Sequence, residues 1–173
     1  LKKDAFVYHK GDPCKGFYTT VYGNFKMSFL SAEGKEHVVR IIGPGQSFGE
    51  ASMFLDRPFP ATVQAISQTR ALFIPKEVLL HCIADDPRCA HVIFAGLSRR
   101  IHHMAERLES LALGSSLQRV IGYLLQHQSS LNSEDGKNDI ELPANKTTIA
   151  SHLNLAPETF SRVLQQLCEL GLI

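Results

Sequence analysis

The sequence has no apolar run of 18 residues, which excludes a transmembrane helix. Its four cysteines, Cys14, Cys82, Cys89 and Cys168, contain no C-x-x-C pair, the spacing that an iron–sulfur cluster or a structural zinc site ordinarily shows. No iron–sulfur cluster is expected, and the cysteines read as free thiols of a reducing cytosol. Cys82 and Cys89 are seven apart, one face of a continuous helix, but Asp85-Asp86-Pro87 interrupts the segment between them. Net charge is also lacking. Eighteen Lys and Arg against seventeen Asp and Glu leave +1, so no overall field draws the chain to nucleic acid or anionic lipid. The start, Leu1-Lys2-Lys3-Asp4, has no apolar stretch behind it and does not read as a signal peptide. The expectation is a cytoplasmic protein with no membrane partner. What is present is core material: 44% hydrophobic and 20% charged over 173 residues, enough for one large domain or two small ones.

Residues 5–74 read as short strands separated by turns. Phe6-Val7-Tyr8 precedes the turn signal Gly11-Asp12-Pro13. Phe17–Tyr22 is β-branched and aromatic. Phe25–Leu30 alternates, placing Phe25, Met27 and Phe29 on one side. The segment Ser31 to Gly34 is a hairpin loop leading to a strand from His37 to Ile42, and Gly43-Pro44-Gly45 stops it. Ala61–Ile66 and Arg70–Ile74 complete a set spaced like a small antiparallel barrel or jelly roll.

After Pro75 the period changes to about 3.6. Lys76–Ile83 is a short helix. Pro87 opens a long one to about Leu113. Along it Phe94, Leu97, Ile101, Met104, Leu108 and Leu111 form an unbroken 3-4 seam, with Arg99, Arg100, His103, Glu106, Arg107 and Glu109 opposite. A seam this narrow predicts a dimer coiled coil rather than a helix laid only on its own barrel. Gly114-Ser115-Ser116 then reads as the hinge. A helix over 117–128 follows, with Leu117, Val120, Ile121, Leu124 and Leu125 on one face, then a polar loop from Ser129 to Lys137.

Lys146–Leu153 is a short helix with Asn145 as N-cap and Ile149, Ala150 and Leu153 inward. Asn154 tolerates the left-handed backbone of a tight turn, and Pro157 suits the start of a second helix, on which Leu164, Leu167 and Leu170 face inward. Helix, short turn, helix with a small Ala150 at the crossing is a helix-turn-helix. The first turns of its second helix would enter the major groove with Glu158, Thr159, Ser161 and Arg162. Arg can take both acceptors of a guanine, and Glu can accept from a cytosine amine. Lys146 is expected to be a further DNA contact. Against this, residues 115–173 hold four basic and six acidic side chains, and a DNA-reading face is usually more basic.

The barrel has one informative corner, Gly45-Gln46-Ser47-Phe48-Gly49-Glu50, followed by Ala61 and Thr62. Gly49 lets a backbone approach a ligand. Glu50 reads as a lone carboxylate that could hold a sugar hydroxyl while nearby amides hold a phosphate. The plain alternative is a bend that needs its glycines and nothing else.

Together these parts resemble the CRP/FNR superfamily of bacterial transcription regulators. The resemblance implies an α+β chain: a cyclic-nucleotide-binding-type antiparallel β-barrel, a long dimerisation helix and a C-terminal winged helix-turn-helix. Its divisions would be an effector-sensing barrel over 1–86, the dimerisation helix over 87–113 and the DNA-binding domain over 114–173. The family's winged hairpin would begin after Ile173, where the sequence ends, so the DNA-binding domain is expected to be incomplete. It implies a homodimer on double-stranded DNA, with RNA polymerase as a further partner, and no catalytic activity.

Two branches of the family are disfavoured. The cyclic-nucleotide branch clamps its phosphate with an Arg-Ser pair about ten residues after the Glu, whereas here the chain reads Arg57-Pro58-Phe59-Pro60-Ala61, so cyclic AMP is not the expected effector. The oxygen-sensing FNR branch holds its cluster with cysteines that none of these four matches. The Glu158-x-x-Ser161-Arg162 triplet is similar to the FNR recognition helix and implies TTGAT-type half-sites in a two-fold repeat. The runs Ala51-Ser52-Met53-Phe54-Leu55-Asp56 and Leu108-Glu109-Ser110-Leu111-Ala112-Leu113 resemble the DNR branch most closely, which responds to nitric oxide through haem. A haem would sit between barrel and long helix, with His9, His91 and His102 as candidate ligands and Cys14 as a weaker one. Two other classes stay in view. A cyclic-nucleotide-binding module would respond to cyclic AMP. A cupin-like enzyme would need an H-x-H, Glu and further His set that His9 and His37 do not supply.

Overall fold

The computed structural model describes residues 1–127, 140 and 142–173. The loop read over Ser129 to Lys137 lies outside them. The chain divides into two compact units, Leu1–His103 and Met104–Ile173, whose boundary falls within the long helix.

The first unit is two packed antiparallel sheets. Strands β1 (Phe6–Tyr8), β6 (Thr62–Ala65), β3 (Phe25–Leu30) and β4 (Glu36–Ile42) form one, in that order; β5 (Ser47–Phe48), β2 (Gly16–Tyr22) and β7 (Arg70–Pro75) form the other. The hairpin over Ser31 to Gly34 joins β3 to β4, with Leu30 opposite Glu36. Between the sheets Tyr8, Phe25, Ile42, Phe48, Phe59, Val63 and Ala65 make one core. A second cluster, Phe17, Met53 and Leu79, sits beneath the helices α1 (Glu50–Phe54) and α2 (Lys76–Asp85). Strand β5 and helix α1 carry too few residues for periodicity to reveal them.

Two expectations for this unit are corrected. The alternation of β3 breaks: a bulge between Met27 and Ser28 shifts the register, so Ser28 is buried and Phe29 is exposed. The Ser28 hydroxyl is satisfied by donating to Glu36 at 2.7 Å. Cys82 and Cys89 are not free thiols. Asp86 is extended, which ends α2 and lets α3 (Pro87–Leu113) turn back, bringing the two Cα atoms to 6.3 Å within a disulfide. Cys14 and Cys168 are free.

Helix α3 buries no residue of its own. Phe94 and Leu108 of its apolar seam are each 66% exposed and Ile101 is 68% exposed; Met104 and Leu111 are exposed as well, and Leu97 is half-buried. The edge beside the seam behaves differently. Ile93 packs on the Phe17 cluster, and Arg100, two turns on, reaches back into the barrel. Arg100 and Arg107 therefore do not belong to a solvated face. One edge of the helix serves the protomer while the seam stays free.

The second unit holds the end of α3, α4 (Ser116–Gln126), α5 (Lys146–His152) and α6 (Pro157–Glu169). Ser115 caps α4 by a reciprocal pair with Gln118. The core is Val120, Tyr123, Leu124, Ile149, Ala150, Phe160, Val163 and Leu167. Two inward assignments are corrected: Leu125 and Leu170 are exposed, the latter at 62%, because Tyr123 takes the inner face of α4 while Phe160 and Val163 share that of α6. Among the described residues no helix is long and apolar enough to cross a membrane.

Candidate functional site

The helix-turn-helix is set by local chemistry. Asn145 accepts from the Thr148 N–H at 2.8 Å and starts α5. Asn154 takes φ 54°, the left-handed value that reverses the chain. The Leu155 N–H returns to Ala150 O at 2.9 Å. Pro157 stands in the first turn of α6, where its missing N–H costs nothing. Because Phe160, Val163 and Leu167 point inward, the other side of α6 faces out: Glu158, Ser161 and Arg162 are exposed and Thr159 is half-buried. Lys146, opening α5, is exposed as well. Little more than one turn of helix thus presents a carboxylate, a hydroxyl and a guanidinium side by side, the groups that read base edges in a major groove.

The barrel corner departs from its sequence reading. Gly49 has φ 97°, and a side chain there would press on the Phe59 ring. Phe48 is fully buried, and Ala61 lies in the interior. The Thr62 hydroxyl accepts from the Lys10 N–H at 3.1 Å, so it serves the fold. Glu50 is not a lone carboxylate. Arg100 reaches it with both terminal nitrogens, at 2.9 and 3.2 Å, and also donates to Ser47 O at 3.1 Å and the Ser47 hydroxyl at 3.2 Å. Burial pushes the Glu50 carboxyl up, but the donors of Arg100 and Ser47, with the Arg100 charge, hold it below the ordinary glutamate range. Arg40 donates to the same Ser47 O at 3.2 Å; burial and the nearby Arg100 charge bring its guanidinium down to about 10. Sequence reasoning missed Arg100 as a site residue, because nothing local marks a helix arginine as the partner of a carboxylate fifty positions away.

Phe59 is the second residue that local reading undervalued. It stands about where a phosphate-clamping pair would be, is 4% exposed, and stacks on Tyr8 with ring centroids 3.6 Å apart. Arg57 points to solvent. The interior between the sheets is thus filled by aromatic rings. The candidate haem ligands are not brought together: His9, His91 and His102 are all exposed, and the His9 ring lies on Phe6 at 4.5 Å. Cys14 is half-buried, donating toward Gly16 O. Among the described residues no group of three or more His, Cys, Asp or Glu side chains could hold a metal ion. The described residues do not form a haem pocket in the protomer.

Residues 1–86 match the family model of the cyclic nucleotide-binding domain, and residues 118–173 match that of the Crp-like helix-turn-helix domain. The chain is 28% identical over 130 residues to the CRP-like cAMP-activated global transcriptional regulator of Mycobacterium tuberculosis, a match that covers 75% of the chain and 58% of that protein. It therefore spans under two thirds of that relative's length. Its fold is that of FixK2 from Bradyrhizobium japonicum, with a TM-score of 0.86 at 24% identity over 99% of this chain and 83% of that one. DNR from Pseudomonas aeruginosa is 32% identical over 99% of this chain and 75% of the other, with a TM-score of 0.51. The Mycobacterium tuberculosis relative carries the name of a transcriptional regulator rather than of an enzyme. With both halves matched and a relative 32% identical over 99% of this chain and 75% of the other, the chain belongs to the CRP/FNR family of transcription regulators.

Proposed function

We propose that this chain is a homodimeric, effector-gated DNA-binding regulator that reads two-fold repeats of TTGAT-type half-sites. The observation that carries the reading is the outward presentation of Glu158, Ser161 and Arg162 on a helix whose packing is already complete through Phe160, Val163 and Leu167. Arg162 donates to the two acceptors of a guanine, Glu158 accepts from a cytosine amine, and Thr159, Ser161 and Lys146 position the helix on the backbone. Half-sites one helical turn apart, about 34 Å, call for two such helices, hence two copies. The exposed seam from Phe94 to Leu111 supports the dimer, since apolar side chains at heptad spacing are the surface a second α3 covers. In this reading residues 1–86 sense, 87–113 pair and 114–173 read DNA; RNA polymerase as partner and the cytoplasm as setting rest on the family likeness.

The experiment is Arg162→Ala. Discrimination between a TTGAT palindrome and a scrambled duplex should fall about 10- to 100-fold with an unchanged sedimentation mass. Full discrimination by the variant refutes the assignment.

For the effector, the likeness to DNR supports nitric-oxide or low-oxygen sensing through haem. Because the described residues do not form a haem pocket, no step is routed through one. Titrating the protein with haem, before and after nitric oxide, tests the proposal: a saturable Soret band that shifts supports it, and no saturable binding removes it. The match to the cyclic nucleotide-binding domain supports a second reading, a cyclic-AMP-responsive regulator. That reading meets Phe59 where the phosphate would be clamped and Arg100 on the carboxylate that would take the ribose. Heat of binding with cyclic AMP in calorimetry would establish it.

A further inference from the structure

The carbonyls at the end of α5 need partners, because the last turn of a helix leaves its C=O groups without intrahelical donors. Three consecutive carbonyls, those of the last residue of α5, its cap and the turn residue Asn154, are served by side chains from elsewhere. Arg107, on α3, donates to His152 O at 2.6 Å. Arg119, on α4, donates to Leu153 O at 2.9 Å and Asn154 O at 3.3 Å. A cation here also meets the negative end of the helix dipole. Burial lowers the Arg107 guanidinium below its ordinary range, in keeping with a side chain enclosed by its partners.

These arginines flank Gly114-Ser115-Ser116, the segment that sequence reads as a hinge, and that segment is itself tight. The Gly114 N–H donates to Ser110 O at 2.9 Å, a Cβ on Gly114 would run into the same oxygen, and the Ser115–Gln118 capping pair starts α4 at once. The unit boundary falls before Met104, so the last turns of α3 already belong with the helix-turn-helix.

We propose that Arg107 and Arg119 are positioning residues for DNA reading: Arg107 pins the α5–α6 turn to the end of α3 and Arg119 pins it to the start of α4, so that 114–116 is a splinted corner and a rotation of those α3 turns carries the recognition helix with it. The proposal rests on the reading of α6 as a recognition helix. Arg107 is the more informative of the two, because it lies on the pairing helix. Its fork supplies directed donors that a lysine replaces with a single point charge.

The test is amide hydrogen exchange on the full chain with Arg107→Met, which keeps the apolar stem and removes the donors. Losing a hydrogen bond to a charged group should raise exchange across 153–156 about 10-fold, while protection at Phe160, Val163 and Leu167 and the sedimentation mass stay as in the parent. Affinity for a TTGAT palindrome should fall about 10-fold more than affinity for a scrambled duplex, with Arg107→Lys recovering part of the loss. Unchanged exchange across 153–156 overturns the proposal. So does loss of protection throughout α6, which would make Arg107 a residue of the general fold, and so does an equal loss on both duplexes. If Arg107→Met does not fold, the same comparisons on Arg107→Lys and Arg119→Met decide it. A parent protein that ignores the palindrome would sink the DNA reading, whereas the exchange data report on the pin without any DNA.

Discussion

The two units use charged side chains in opposite ways. In the barrel unit Glu50, the carboxylate that the sequence offered as a ligand contact, is turned inward and matched by Arg100 and Ser47. In the helix-turn-helix unit the inward charges, Arg107 and Arg119, serve the backbone, while Glu158 and Arg162 face outward. A group that must read a partner is left in solvent, where it costs nothing to keep ready. A group buried without a partner would cost several kcal/mol, so the barrel satisfies it from within. On the proposed reading, an effector in the barrel would compete with an existing ion pair and a stacked aromatic interior, whereas DNA would meet a prepared surface.

Three changes sharpen or break this contrast. The largest effect is expected at the seam. Leu108→Glu places a charge on each side of a two-fold contact, so it should convert a dimer to a monomer in sedimentation with little change in protomer unfolding, since Leu108 is exposed there. An unchanged mass refutes the seam. Phe25→Ala does the reverse. Its ring is fully buried, and its loss should cost about 3–5 kcal/mol in denaturant unfolding of the first unit, with hydrogen exchange of α5 and α6 unaltered. Joint loss of protection in both units would break the comparison.

The smallest effect concerns Glu50. A carboxyl held below its unfolded value contributes stability that is present above the ordinary glutamate range and lost as the pH falls through the folded value. Glu50→Gln should therefore lower stability by about 1–2 kcal/mol at neutral pH and converge with the parent below about pH 4. Curves that stay parallel into acid show that the Arg100 pair contributes nothing.

Local signals proved the most readable. Asn145, Asn154 and Pro157 each act within a few residues, so the helix-turn-helix could be placed from its caps and turn. The α3 seam was equally open to reading, because a 3-4 spacing repeats along one helix. Inner faces were harder. Leu125 and Leu170 fit the helical period but lose their places to Tyr123, Phe160 and Val163, since which stripe is buried depends on the neighbouring helices. In β3 one bulge sent Phe29 outward, because strand alternation survives only as long as the register does. The cysteine pair was misjudged for a related reason: the break at Asp86 that separates the two helices also folds one back toward the other.

The sequence by itself determined the order of parts, the strand-rich first half, the long helix with its seam and the capped helix-turn-helix, because period, cap and turn chemistry act over a few residues. Only the tertiary structure decided that Arg100 belongs to Glu50, that Phe59 lies on Tyr8, and that Arg107 holds the α5 carbonyls. Those pairs join residues 45 to 51 positions apart, and no pattern along the chain can express which of many arginines a given buried acceptor will meet.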